Sequence, residues 1–191
     1  KINAVKNVKD LQALLIEMEP TGGIGFFGAG VGTDAKNSNV NVINLGPGGV
    51  GLPDRDYYVS DEKDSKEKRE KYVLHVAKML QYLGDKPEQA KANAEKILAL
   101  EIEMSKPRFD RVERRDRRKS YNPMTVAEIQ KLTPSIDWTT YFTKIGLPTN
   151  QTIIVSQPKY MTALETLFKE NKVDDWKAYM RWSLLNRAAS Q

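Results

Sequence analysis

A mainly α-helical domain carrying one small β-hairpin is the fold that this 191-residue chain predicts. Three observations carry the prediction. Apolar residues recur at three- and four-residue spacing along most of the chain. Period-two alternation is confined to one stretch, around residues 24–45. No repeat, low-complexity run or long linker interrupts the pattern, so residues 1–191 read as one unit without an internal domain boundary.

Val5, Val8, Leu11, Leu14, Leu15 and Met18 set a first helix over roughly residues 6–18, which Pro20, Gly22 and Gly23 end. The period then changes from Ile24 to Thr33. Polar turn residues Asp34–Asn39 precede the alternating Val40, Val42 and Leu45, which makes a hairpin and the only substantial sheet expected. Gly46-Pro47-Gly48-Gly49 marks a loop, and Pro53-Asp54 opens a turn. Ser60 is placed to cap a long helix with Asp61 and Glu62 in its first turn; its second half carries Tyr72, Val73, Val76, Met79, Leu80 and Leu83 and stops at Gly84. Pro87 starts the next helix, with a stripe of Ala90, Ala94, Ile97, Leu98 and Ile102 and Met104 near its end. Thr125 with Glu128 forms a capping box, and Asp137 caps a helix bearing Trp138, Tyr141 and Phe142. Ile153–Val155 reads as a brief strand or extended segment. Amphipathic helices over about 158–170 and 174–189 close the chain.

Composition narrows the chemistry. The absence of cysteine removes disulfides, thiolate zinc sites and thiol catalysis. A single histidine, His75, removes a self-contained His-Glu-x-x-His zinc site, which needs two imidazoles one helical turn apart. No apolar run approaches the roughly 18 residues of a membrane helix. The chain starts at Lys1, so either a signal has been removed or this is a segment of something longer.

Each candidate site has a structural competitor. Gly23-x-Gly25-x-x-Gly28 matches the dinucleotide fingerprint by letter, but a helix precedes it and a strand follows. Glycines that let another backbone, or a bound peptide, come close are the better reading. Arg108, Arg111, Arg114, Arg115, Arg117, Arg118 and Lys119 form a basic stretch threaded with Asp110, Glu113 and Asp116. On a helix Asp110 would face Arg114 and Glu113 would face Arg117, so an ion-paired solvated helix is favoured over a nucleic-acid surface. His75, between Leu74 and Val76, is structural or at the surface. Asp54 and Asp56 flank Arg55 in a Pro-initiated turn, which favours capping and ion pairing over acid/base work, with Tyr57 and Tyr58 anchoring the turn. Asn150-Gln151-Thr152 is a weak glycosylation pattern. No residue is assigned to catalysis, to a cofactor or to a metal.

Several strings together resemble one family. Phe27-x-x-x-Val31-Gly32-Thr33-Asp34-x-Lys36-Asn37-Ser38 is followed by Gly51-Leu52-Pro53-Asp54-Arg55-Asp56-Tyr57-Tyr58, by Leu100-Glu101, by Tyr121-Asn122-Pro123-Met124-Thr125 and by the helix with Trp176 and Trp182. In order and spacing they resemble the neprilysin family of zinc metallopeptidases, which includes endothelin-converting enzyme and bacterial oligopeptidases. The resemblance implies a much longer parent with two mainly helical lobes around a chamber, in which zinc and its ligands belong to a catalytic lobe downstream. This chain would be a segment of the N-terminal cap lobe, and its motif residues would be structural. The implied partners are that catalytic lobe and peptide substrates, with no nucleic acid. The implied location is periplasmic, cell-surface or secreted. The lack of cysteine, set against disulfide-rich animal members, points to a bacterial relative, and Gly46–Gly49 makes a more open loop than the family's. The alternative is a free-standing helical domain that binds peptides or proteins without catalysis.

Overall fold

The computed structural model describes residues 1–189. Helix α1 (Val8–Met18) starts where the Asn7 side chain accepts from the Asp10 amide, and it buries Leu11, Leu14, Leu15 and Ile16. Strands β1 (Phe27–Thr33) and β2 (Asn41–Pro47) form the expected hairpin, with Val31 opposite Ile43. A short helix α2 (Asp56–Val59) leads to α3 (Lys63–Tyr82) and α4 (Pro87–Ser105), a helical hairpin turned at Gly84, whose φ of 93° suits glycine. Then come β3 (Asn122–Met124), α5 (Val126–Leu132), α6 (Trp138–Lys144), β4 (Ile153–Val155), α7 (Pro158–Glu170) and α8 (Val173–Ala189). The capping box of Thr125 with Glu128 and the cap of Asp137 on the Thr140 amide both form. The fold is mainly α, as the periodicity predicts.

Two expectations change. The hairpin is part of a four-stranded sheet in the order β1-β2-β4-β3, with β4 parallel to β2 and β3 antiparallel to β4. Each added strand is three residues long, too short for a period to show. Pro123 lies on the edge strand β3, where its missing N–H costs no ladder bond. The long helix begins at Lys63 with Glu62 at its N-cap, not after Ser60. Ser60 is held instead in the preceding turn: its carbonyl, with those of Tyr57 and Tyr58, accepts from the Arg69 guanidinium.

Neighbouring aromatics join the core. Phe26 packs against Phe168, Trp176 and Tyr179, with ring centroids 5.6, 5.1 and 5.0 Å away. Phe27 packs against Trp138 and Tyr141 at 4.9 and 5.1 Å. One dipeptide at the start of β1 thereby couples the α7–α8 rings to those of α6, which fixes the sheet against the helices.

Candidate functional site

The octapeptide Gly51–Tyr58 folds as a corner between β2 and α3, and its polar groups converge on one carboxylate. Glu101, on the inner face of α4, is 1% exposed. Its Oε1 accepts from the Gly51 amide at 3.0 Å and its Oε2 from the Tyr58 hydroxyl at 2.9 Å. The Tyr72 hydroxyl of α3 lies beside it and favours its charged form. Each tyrosine is held in turn: Tyr58 Oη accepts from the Leu52 amide at 2.6 Å, and Tyr72 Oη accepts from Trp182 Nε1–H of α8 at 2.7 Å. One carboxylate thus ties the corner to three helices.

Burial pushes the Glu101 carboxyl up to about 7, against the pull of the Tyr72 and Tyr58 hydroxyls, the Gly51 amide and the Arg108 charge. Burial, then the Glu101 charge, drives the Tyr58 and Tyr72 hydroxyls far above the ordinary phenol range. The geometry demands glycine at two points. A Cβ on Gly51 would overlap the Tyr72 hydroxyl, and one on Gly48 would overlap the Gly25 carbonyl. The Gly23–Gly28 letters therefore mark a backbone crossing, but in the loops: Gly25 has φ 84°, whereas Gly28 and Gly30 within β1 face open space. A cavity of about 260 Å³ lies beside this crossing, with Gly23, Gly51, Glu101, Trp182 and Arg187 among its walls.

The rest of the octapeptide faces outward. Leu52 packs on the core and Pro53 is exposed. Asp54 Oδ1 accepts from the Asp56 amide, and Oδ2 meets Arg111 at 3.1 Å and Arg114 at 2.9 Å. Partial burial opposes ionisation of Asp54, but the Asp56 amide and these two guanidinium groups hold its carboxyl below the usual range. Arg55 pairs with Asp56 at 3.3 Å and donates to the Lys106 carbonyl. Lys68 lies 3.9 Å over the Tyr57 ring, so of the two tyrosines only Tyr58 is in the core.

The basic stretch is not a helix, which corrects the expected pairing of Asp110 with Arg114 and Glu113 with Arg117. Apart from a single 3-10 turn, Glu113–Arg115, it is a run of turns. Asp110 instead accepts from the Val112 and Glu113 amides, Glu113 pairs with Lys119 and Asp116 with Arg118. Interleaved Asp residues compete for backbone N–H groups, and that competition ends the helix. Arg108 leaves the cluster altogether, donating to the Gly48 carbonyl at 2.7 Å with its guanidinium over the Tyr160 ring. His75 is exposed and lies edge-on to Trp182.

The second motif closes the other end of the sheet. The Tyr121 hydroxyl donates to Asp34 of the hairpin turn, and Lys36 lies 4.2 Å over its ring. Asn122 donates to the carbonyls of Lys119 and Val155, Met124 packs on the core, and Thr125 caps α5. Asp34, Lys36 and Tyr121–Thr125, far apart in sequence, form one structural unit.

Residues 1–191 match the profile of peptidase family M13 over their whole length. The chain belongs to peptidase family M13. Endothelin-converting enzyme 1 of Cavia porcellus is 31% identical over 170 residues, covering 86% of this chain and 22% of that relative. Zinc metalloprotease ZMP1 of Mycobacterium tuberculosis, in its open state, superposes with a TM-score of 0.86 at 30% identity, over 96% of this chain and 28% of that one. PEPO from Lactobacillus rhamnosis shares the fold at 15% identity, with a TM-score of 0.76 over 99% of this chain and 30% of its own. The chain therefore spans 22% of the length of the curated relative, and ZMP1, a bacterial protein, fits the bacterial affinity expected from the composition.

M13 enzymes are zinc metallopeptidases, so the fit to zinc is a direct question. Among the described residues no three His, Cys, Asp or Glu side chains come together. Around Glu101 the neighbours are hydroxyls and an amide N–H, which favour the charged carboxylate rather than share a cation with it. This is not a zinc donor set.

Sequence reasoning missed Glu101 as the centre of the site, although a signal was present. Glu101 falls four residues after Ile97 and seven after Ala94, on the buried stripe of α4, while Ile102 lies at its flank. A carboxylate on an apolar stripe marks a buried polar node.

Proposed function

We propose that this chain is a non-catalytic segment of the N-terminal lobe of an M13 zinc metallopeptidase, where it walls a chamber and limits entry to peptides. Zinc would be held by a catalytic lobe elsewhere in the same protein and would supply Lewis-acid activation of water. The observation that carries the reading is the inward commitment of the octapeptide: Gly51, Leu52 and Tyr58 give their polar groups to Glu101 and to one another. Asp54 and Asp56 are committed to arginines and to a backbone amide. Such groups hold a shape and have no proton to trade with a substrate. Membership of a peptidase family, with coverage of under a third of each solved relative, supports the assignment to a lobe. A periplasmic, cell-surface or secreted setting belongs to the same proposal.

The test uses the full-length protein that carries this segment. Wild type should cleave short quenched-fluorescent peptides and spare an unfolded protein that contains the same cleavage site. A version with the corner opened by Gly51→Ala should relax that size limit or lose activity. Equal cleavage of peptide and unfolded protein by wild type would exclude a size-selecting wall.

A further inference from the structure

The net charge of the chain is +5, and it is concentrated in one place. Lys106–Lys119 holds eight of the 30 basic residues and three of the 25 acidic ones; the remaining 22 basic and 22 acidic residues cancel. Most of these 14 residues form the run of exposed turns after α4, while Arg108 turns inward to the Gly48 carbonyl. Asp54, itself largely covered, anchors Arg111 and Arg114 from beneath. Above that anchor, Arg115 and Arg117 are exposed with no acidic partner among the described residues, and Arg118 pairs with Asp116 while 93% exposed. Val112, next to Arg111 in the same run, stands 78% exposed, the highest value of any large apolar side chain here.

We propose that this turn is a docking surface for an anionic lipid bilayer. Each Lys or Arg near such a surface contributes attraction that falls off within a Debye length, and lipid headgroups rearrange to meet unpaired arginines that no rigid partner holds in place. The single exposed valine fits the boundary between headgroup and acyl chain. The turn lacks what other polyanions and proteins call for. It offers no helix longer than one 3-10 turn to enter a groove. It offers no bare ring on which bases stack: Phe109 is half-buried, Tyr121 is bonded to Asp34 and covered by Lys36, and Tyr57 is covered by Lys68. One exposed valine is too little apolar centre for a protein interface.

Sedimentation of the full-length protein that carries this segment with vesicles tests this. At low salt it should co-sediment with phosphatidylcholine vesicles containing phosphatidylglycerol, stay in solution with pure phosphatidylcholine, and be released by high salt. The triple variant Arg115→Gln, Arg117→Gln, Arg118→Gln should lower the partition coefficient about a hundredfold, from about fivefold per basic residue. Lys9→Gln, Lys78→Gln and Lys172→Gln together remove the same charge from exposed positions on other elements and should change it by less than about threefold, because attraction to the bilayer falls off within a Debye length. Unchanged circular dichroism and melting would confirm that both variants fold. The proposal is overturned if anionic vesicles leave the protein in solution, if the two triple variants lose binding equally, or if the protein binds duplex DNA while ignoring vesicles.

Discussion

Replacing Glu101 by Gln separates the cost of a buried charge from the value of the bonds it accepts. The carboxyl lies at about 7 in the folded chain against 4.5 for the free group. Folding therefore favours the protonated form. The stability linked to this group is fully present below the unfolded value and is lost as pH rises to and through 7. A shift of that size corresponds to about 3 kcal/mol, at about 1.4 kcal/mol per pH unit. Gln cannot titrate but keeps an oxygen for the Gly51 amide. Urea unfolding of wild type and Glu101→Gln, each measured from pH 4 to pH 9, isolates the effect, since every other titrating group cancels in the difference. Wild type minus variant should fall by about 3 kcal/mol across that range, steepest between the two carboxyl values. A difference that stays flat with pH would refute the buried-carboxylate reading of the corner.

Other perturbations probe the same frame. Gly51→Ala drives a methyl into a Tyr72 hydroxyl held by Trp182 beside Glu101, and should cost about 3 kcal/mol in urea unfolding, the upper range for overpacking. Asp54→Asn frees Arg111 and Arg114; since both arginines are partly exposed, the loss should be only about 1 kcal/mol at neutral pH. Because the Asp54 carboxyl is held low, that loss should vanish as pH falls through its lowered value, which a pH series of melts would detect. Thr125→Ala removes the capping box of α5 and should cost about 1 kcal/mol, with hydrogen exchange faster at the Glu128 amide.

Helices were readable where periodicity and punctuation agreed. Pro87 and Gly84 bracket α3 and α4 as they should, and Thr125 and Asp137 cap as their spacing predicts. What stayed hidden depends on contacts across long sequence distances. β4 was readable as an extended Ile153–Val155, but not its pairing with β2 more than a hundred residues away; β3, defined by pairing with β4, carries no local pattern. The start of α3 was misplaced because Arg69, nine residues downstream, takes the Ser60 carbonyl. The basic stretch looked helical by charge spacing, yet its cations answer to Asp54, some 57 residues upstream of Arg111. At the site, the octapeptide was legible as a corner from Pro53 and the aspartates that follow it. Its anchor was not, because Glu101, Tyr72 and Trp182 meet only in three dimensions.

Hydrolysis of a quenched-fluorescent peptide by the purified 191-residue chain, with added zinc and with a chelator, bears most directly on the claim that this segment shapes an M13 peptidase without carrying its chemistry. The rate should be no higher than buffer under every condition. Cleavage that follows the chain through purification, requires zinc and stops on chelation would contradict it.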